Sequence, residues 1–506
     1  MSYRSGVSDG LRKAGVMLRA SPREAHDMAT LPLAAWLLIA PLGLLPSTGG
    51  ADEEAVQNVR SYEQTVRTIL AESLRQGRAY ERLGELCRVA PRRLSGSPGA
   101  SAAVEWARQT MQEEGLENIR LQPVVVPHWV RGEIGELRIV KPLEHAGRVL
   151  PMLALGGSVA TPRGGLRAEL VVVDSLEAGA ALGERAEGRI VLFNGPMDPS
   201  LVRSFDAYSG AVGQRGHGAS TAARGGAVAA LVRSMTTGID DIPHTGALRY
   251  AADAPKIPSA AVSTRGAELL ASLAAAGKQV EVFLRQDCRT LPDAEGHNVI
   301  GELVGRELPD EVIVVGGHLD AWDVGEGAHD DGGGCCQALE AVSLLKRLGL
   351  RPRRTLRVVL FTNEENGLAG GRAYREAYAS EMDQHVLALE SDSGVFTPRG
   401  FSTNANPQAY AILTALSGLL EEAGAGDLRP GGGGADISPM RDDGVIQVGF
   451  EPDPQRYFDL HHTHEDTFDK VSPREINLGA GVIAAFLYVV ADMEQTLPRN
   501  TPPSGR

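Results

Sequence analysis

Histidine and carboxylate side chains recur at the ends of apolar runs between Val312 and Glu365, and these side chains bind metals or move protons. The stretch reads VIVVGGHLDAWDVGEGAHDDGGG, continues through a helical pattern and closes with LRVVLFTNEENG. Val312–Val315 runs into His318 and Asp320, a glycine-rich loop carries Asp330, and Leu356–Phe361 runs into Glu364 and Glu365. Farther on, His385–Leu389 leads to Glu390 and Asp392, and HHTHEDT at His461–Thr467 adds imidazoles. Each feature alone has an ordinary explanation. A strand-end histidine is commonly a bonded core residue, an acidic pair commonly faces water, and Asp330–Asp331 before a helix is commonly a cap. Their repetition within one domain points to a single two-metal hydrolase site.

His, Asp and Glu without Cys form a donor set that suits Zn²⁺ in catalytic sites, although Co²⁺ and Mn²⁺ accept the same donors. Asp330 is the expected bridge between two ions, since its glycine neighbours let the backbone approach closely. Asp320 is placed to accept from the far nitrogen of His318 and so fix its tautomer. Glu364, adjacent to a ligand, is the expected general base. His464 and Tyr457 are candidates to steady an oxyanion, and Asp436 in GGGGADISP is a candidate for the substrate end of the cleft.

A chain of 506 residues with 43% hydrophobic content is expected to fold as two or more domains. The net charge of −14 argues against nucleic acid as a partner, because phosphate binding needs clustered Lys and Arg. Cys87, Cys288, Cys335 and Cys336 match no zinc-knuckle or disulfide spacing and are expected to be structural. Leu31–Leu45 (LPLAAWLLIAPLGLL) follows a basic leader and is too short for a spanning helix, which needs about 20 residues. It reads as a signal peptide, giving an exported protein with no stable membrane span.

The elements that must position the site follow from periodicity. From Asp52 to Met111 the pattern is helical, and Ile119–Val126 and Gly132–Val140 read as strands. Residues 127–286 change texture to short β-rich runs between Gly/Ala-rich helices, the pattern of an inserted, non-catalytic domain. Val299–Leu303, Val312–Val315, Leu356–Phe361, His385–Leu389 and Val445–Phe450 read as buried strands. Helical segments such as Cys335–Leu348 lie between them, which predicts a three-layer α/β/α domain with a mixed, largely parallel sheet. Ser472-Pro473-Arg474-Glu475 caps a last, buried helix. The expected division is 1–50 leader, 51–126 and 287–497 catalytic domain, 127–286 insert, and 498–506 polar tail.

Longer motifs occur in order along the chain. They are RRLSGS at Arg92–Ser97, PHWVRGE at Pro127–Glu133, PHTG at Pro243–Gly246, PKIPSA at Pro255–Ala260, Gly316–Gly334, and His461–Thr467. With them the chain resembles the co-catalytic zinc exopeptidases of the bacterial leucyl aminopeptidase and glutamate carboxypeptidase group, over nearly its whole length after the leader. The resemblance implies two Zn²⁺ per subunit, one held by His318 and Asp392, the other by Glu365 and His462, with Asp330 bridging and Glu364 as base. The choice of His462 over its neighbours rests on the family pattern H-[ST]-x-x-D-T. It also implies a homodimer, a protease-associated domain at 127–286, and hydrolysis of dipeptides or short peptides with free termini. An aminopeptidase, a non-catalytic receptor-like module and a one-zinc glutaminyl-cyclase-like enzyme are the alternatives. His329 before Asp330, and the Cys335–Cys336 pair, depart from the family pattern without removing a ligand.

Overall fold

A computed structural model describes residues 57–502, all within the compact unit Thr48–Arg506. The leader, Leu31–Leu45 included, lies outside the described residues.

Among the described residues, helices at Glu63–Gln76, Ala79–Val89 and Pro98–Glu113 lie before the strand β1 (Glu117–Val130). The chain then builds a second sheet from β2 (Gly135–Lys141), β3 (Met152–Ala154), β4 (Leu166–Val173), β5 (Ile190–Phe193), β6 (Ala229–Arg233), β7 (Ser259–Val262) and β8 (Glu281–Gln286). It returns as β9 (Arg289–Leu303), β10 (Leu308–His318), β11 (Arg354–Phe361), β12 (His385–Glu390), β13 (Pro398–Thr403), β14 (Asp427–Pro430) and β15 (Ile446–Pro452). The larger sheet is eight-stranded in the order β1-β9-β11-β10-β12-β15-β13-β14, and the insert's sheet is seven-stranded in the order β2-β8-β4-β5-β6-β7-β3. In the larger sheet β11, β10, β12 and β15 run parallel, while β9, β1 and β13 join antiparallel. The domain is thus α/β with a mixed sheet.

Alternation along the central strands decides what each face packs against. Ile313, Val315, Leu356, Val358 and Leu360 join the large helical core with Ile483 and Phe486 of the Pro473–Asp492 helix. Val312, Val314, Val359 and Phe361 point the other way, onto Tyr374 and Met440. Strands β10, β11 and β12 are therefore buried on both faces, and their carboxyl ends carry the polar groups.

The last helix is 83% buried over its most apolar stretch, a core helix capped by Ser472, whose side chain accepts from the Glu475 amide. The four cysteines are free and buried. Three features differ from expectation. β9 begins ten residues before the predicted Val299, because RTLPDAEGH forms an exposed ribbon with β1 and has no apolar face to announce it. β13 and β14 lie toward one edge and were not predicted. The start of the polar tail is strapped down: Arg499 donates to the Asp443 carbonyl (2.6 Å), and Asn406 donates to the Pro498 carbonyl (2.7 Å).

Arg93 ties the RRLSGS segment beneath the site. It is fully buried and donates to the carbonyls of Leu319 (2.7 Å), Gly327 (2.7 Å) and Glu326. Removing it takes away three hydrogen bonds from a charged donor, at roughly 1.5–3 kcal/mol each. Arg93→Ala should therefore lower unfolding free energy by at least about 3 kcal/mol in a denaturant titration, and a change within 0.5 kcal/mol, about that of an ordinary surface substitution, would sink this account.

Candidate metal centre

Strands β11, β10 and β12 are neighbours, so His318, Glu364–Glu365 and Asp392 meet where their carboxyl ends point. Two glycines make the convergence possible. A Cβ on Gly317 would lie 2.2 Å from Asp331 Oδ2, and one on Gly334 would lie 1.9 Å from the Ser391 carbonyl. The helix that starts at Gly333 can therefore press its first turn, and the Asp330–Asp331 loop before it, against β10 and β12. Asp331 accepts from the amides of His318 (2.9 Å) and Gly334 (3.1 Å), and Asp466 accepts from His329 (2.7 Å) and Asp330 (3.1 Å). Asn363 and His462 sit in left-handed backbone conformations (φ 66° and 62°) directly at the site. Such residues cost of order 1–3 kcal/mol and persist where surrounding contacts over-determine them.

Asp330 is the hub. His318 Nε2 lies 3.3 Å from Asp330 and 3.4 Å from Asp392, and His462 Nε2 lies 3.2 Å from both Asp330 and Glu365. The far nitrogens decide what those contacts mean. His318 Nδ1 donates to the Asp320 backbone carbonyl (2.9 Å), and His462 Nδ1 faces the Thr245 carbonyl and Arg215 Nη1, each at 3.3 Å. As metal ligands the rings must be neutral, and with the proton on Nδ1 each would turn the lone pair of Nε2 toward carboxylate oxygens; without metal the same carboxylates favour the charged rings and raise the pKa of both. In the neutral state acceptors would face acceptors, and buried Asp330 Oδ2, 3.2 Å from His462 Nε2, would lack a donor. A cation between them resolves the repulsion, and the donor set is one that holds Zn²⁺. Ligand-type atoms of His318, Asp330 and Asp392 cluster within 4.8 Å of one another, as do those of Asp330, His461 and His462. His461 stands farther from Asp330, at 3.8 Å, and its ring stacks on His462.

Other expected residues fall in and out of this site. Glu364 lines the cleft, and its amide donates to Asp320 Oδ1 (3.0 Å). Burial, with Asp392 and Glu365 beside it, pushes its carboxyl well above the usual range. Asp320 does orient His318, but through its backbone carbonyl; its carboxylate stands 3.9 Å from the ring and accepts instead from Ser95 (3.0 Å) and Glu364. Tyr457 is buried in the cleft wall, stacked on Phe205. His464 is not in the cleft: its side chain is 56% exposed and lies against Glu465. Asp436 does not reach the substrate space either. It is fully buried, its amide 3.4 Å from Glu390, because the glycine run before it tucks under β12. His329 stacks on Phe396 and Cys335 touches the His318 carbonyl, so both departures stand behind the site.

The cleft holds about 800 Å³, and the insert forms one wall of it. Tyr208 and Arg215 come from that wall, so the insert is not a bystander. Arg215 is 8% exposed; it donates to Tyr208 Oη (2.7 Å), and its Nε is buried without a partner. Sequence reasoning missed Arg215, which sits in a Gly/Ala-rich helix (Gly213–Arg224) with no motif around it. The PHTG segment did carry a signal, as a matched motif.

A fold of this kind with converging imidazoles and carboxylates defines a metal-dependent hydrolase. Residues 298–487 match the model of peptidase family M28. The chain is 37% identical to carboxypeptidase Q of Bos taurus over 470 residues, 93% of this chain and 97% of the relative. A peptidase M28 precursor from Shewanella amazonensis SB2B has the same fold, with a TM-score of 0.84 and 31% identity over 88% of this chain and 100% of that one. A zinc aminopeptidase from Bacillus subtilis shares the fold at 19% identity, with a TM-score of 0.60 over 83% of this chain and 97% of that one. The chain belongs to peptidase family M28. It is a zinc-dependent exopeptidase, similar to carboxypeptidase Q.

Proton affinities at the ligands set a pH dependence for the metal-free protein. Burial disfavours charge on His462, but Glu365 and Asp330 outweigh it and raise its pKa to about 9; burial pushes Glu365 up to about 7. Both values exceed the ordinary ones, so the folded state binds more protons than the unfolded chain between pH 6.5 and 9. Stability must then fall as pH rises through that window. Chelator-treated protein should show a falling thermal midpoint from pH 6.5 to 9, and added Zn²⁺ should flatten the slope; a midpoint that climbs with pH would refute the scheme.

Proposed function

We propose that the protein is a di-zinc exopeptidase that hydrolyses dipeptides or short peptides and recognises their free carboxyl terminus. The observation that supports the metal centre is the convergence of His318 Nε2 and His462 Nε2 on oxygens of Asp330, Asp392 and Glu365 at 3.2–3.4 Å. His318 and Asp392 would hold one Zn²⁺, Glu365 and His462 the other, and Asp330 would bridge them, supplying Lewis-acid polarisation of the scissile carbonyl and a water of lowered pKa. Glu364 would take the proton of the attacking water and pass it to the leaving amine. Of the two oxyanion candidates, Tyr457 is retained because it lines the cleft.

Arg215 favours a carboxypeptidase over an aminopeptidase. Its guanidinium lines the cleft wall, held by Tyr208 (2.7 Å) and beside the Thr245 carbonyl (3.5 Å) and His462 Nδ1 (3.3 Å), and a fixed positive charge there suits a terminal carboxylate. The cleft volume admits a short peptide. The segment 127–286 is proposed as a protease-associated domain, the Leu31–Leu45 leader as an export signal, and the active form as a homodimer, each by resemblance to the family.

Two sets of variants test this reading. Glu364→Gln should keep both metals by elemental analysis yet lose about 10²–10⁴-fold in kcat, while Asp330→Ala should lose metal. Full activity in Glu364→Gln would remove it as the base. For the terminus, a dipeptide should be cleaved about 10–100-fold better than its C-terminal amide, and Arg215→Met should abolish that preference. Equal rates on acid and amide in the unaltered enzyme would favour the aminopeptidase instead.

A further inference from the structure

The insert's Pro243–Gly246 loop reaches across the cleft to the two-histidine segment. His244 is buried, 1% exposed. Its Nδ1 donates to the His461 carbonyl (2.8 Å), and its amide donates to Ser234 Oγ (2.9 Å). The Thr245 amide donates to the His462 carbonyl (2.9 Å), and the Thr245 carbonyl faces His462 Nδ1. Successive carbonyls at His461 and His462 are therefore both held by the insert, at the point where His462 adopts its left-handed conformation.

The loop is itself anchored. Thr245 Oγ1 donates to the Ala154 carbonyl (2.9 Å) and receives Arg131 Nη1 (3.2 Å), while Arg131 Nε reaches Asp323 (2.9 Å) beside Trp322. Trp322 donates its amide to Glu365 Oε1 (3.2 Å) and lies edge-on to His462. The insert thus touches both ligands of one proposed zinc position, one directly and the other through Arg131 and the Trp322–Asp323 turn.

We propose that the insert is a working part of the metal centre: its Pro243–Gly246 loop, with His244 as positioning residue, sets the tautomer and orientation of His462 and so governs metal retention at the Glu365–His462 position. This rests on the metal-centre reading above. An imidazole whose far nitrogen is held by a carbonyl presents its other lone pair in one direction, and outer partners of this kind are typically worth about 10–100-fold in metal affinity. The Thr245 carbonyl supplies that partner at 3.3 Å, and Arg215 Nη1, also from the insert, stands at 3.3 Å from the same nitrogen, which as a neutral ligand's proton-bearing atom can pair only with the carbonyl. His244 keeps it in place by pinning the neighbouring backbone to the same loop. His244 touches no metal and no substrate.

The test is retention of Zn²⁺ by the full-length protein against a series of chelator concentrations, with metal counted per chain. His244→Ala should release one of two equivalents at about 10–100-fold lower chelator than the unaltered protein, and lose kcat on a dipeptide without a matching change in KM. His244→Asn, whose amide can donate from nearly the position of Nδ1, should restore both. Ser234→Ala removes the hydroxyl that holds the His244 amide and should show the same early release more weakly, which keeps the proposal testable if His244→Ala does not fold. Retention at unaltered chelator concentrations in His244→Ala or Ser234→Ala overturns the proposal. So does a His244→Asn protein as metal-poor as His244→Ala, since a general packing defect would lower both. If the unaltered protein itself holds no metal, the metal-centre reading fails, and this proposal with it.

Discussion

Repulsion among buried carboxylates is the constraint that the rest of the peptidase half answers. Asp330, Asp331, Glu365, Glu390 and Asp436 are all nearly or fully buried, and Asp392 and Glu364 stand among them at the cleft. Burial alone pushes most of their carboxyls upward, and each neighbour adds to the push. Backbone donors satisfy several of these acids. Glu390 receives the amides of Asp436 and Ile437, Asp331 those of His318 and Gly334, and Asp466 those of His329 and Asp330. Asp330 is treated differently. Burial pushes its carboxyl upward, but the imidazoles of His318, His462 and His461 outweigh that and hold it well below the usual range. The stabilisation that amide dipoles give the other acids comes here from rings that a metal ion would also use.

This division of labour explains why much of the centre was legible from the chain alone. His318, Glu365 and Asp392 each follow an apolar run, and parallel neighbouring strands carry such residues to one place. The place of Asp330 was legible because the glycines around it have a packing reason that their number betrays. Adjacency in sequence was a poorer guide. His464 is two residues from His462, yet the left-handed turn at His462 sends the chain outward to Glu465 and solvent. Asp436 sits in a glycine-rich run that looked like an active-site loop, but the glycines let the loop pass beneath Glu390. Asp320 had the right role through the wrong atoms, since its carbonyl, nearer than its carboxylate, reaches the ring.

The cleft's far wall was the least legible part. Arg215, Tyr208 and Thr245 gain meaning only once the insert folds back onto the carboxyl edge of the larger sheet. No local pattern marks a lone arginine in a helix of small residues, and the long polar half of β9, which carries the chain back from the insert, has no hydrophobic period to read. Periodicity reports what a segment buries within its own layer and is silent on contacts made across a gap.

The pairing of the insert's first and last strands has a kinetic meaning. β2 and β8 run antiparallel with Gly135 opposite Gln286, so the insert returns the chain to almost the point where it left. β1 and β9 then pair directly, Val130 opposite Arg289. For a structureless loop of that length, bringing β1 to β9 would cost on the order of 4 kcal/mol in chain entropy. An insert that has already closed on itself presents its two ends together, and β1 meets β9 as though the intervening residues were a short turn. The most sequence-distant pairing in the larger sheet thereby becomes, for the folding chain, a local one.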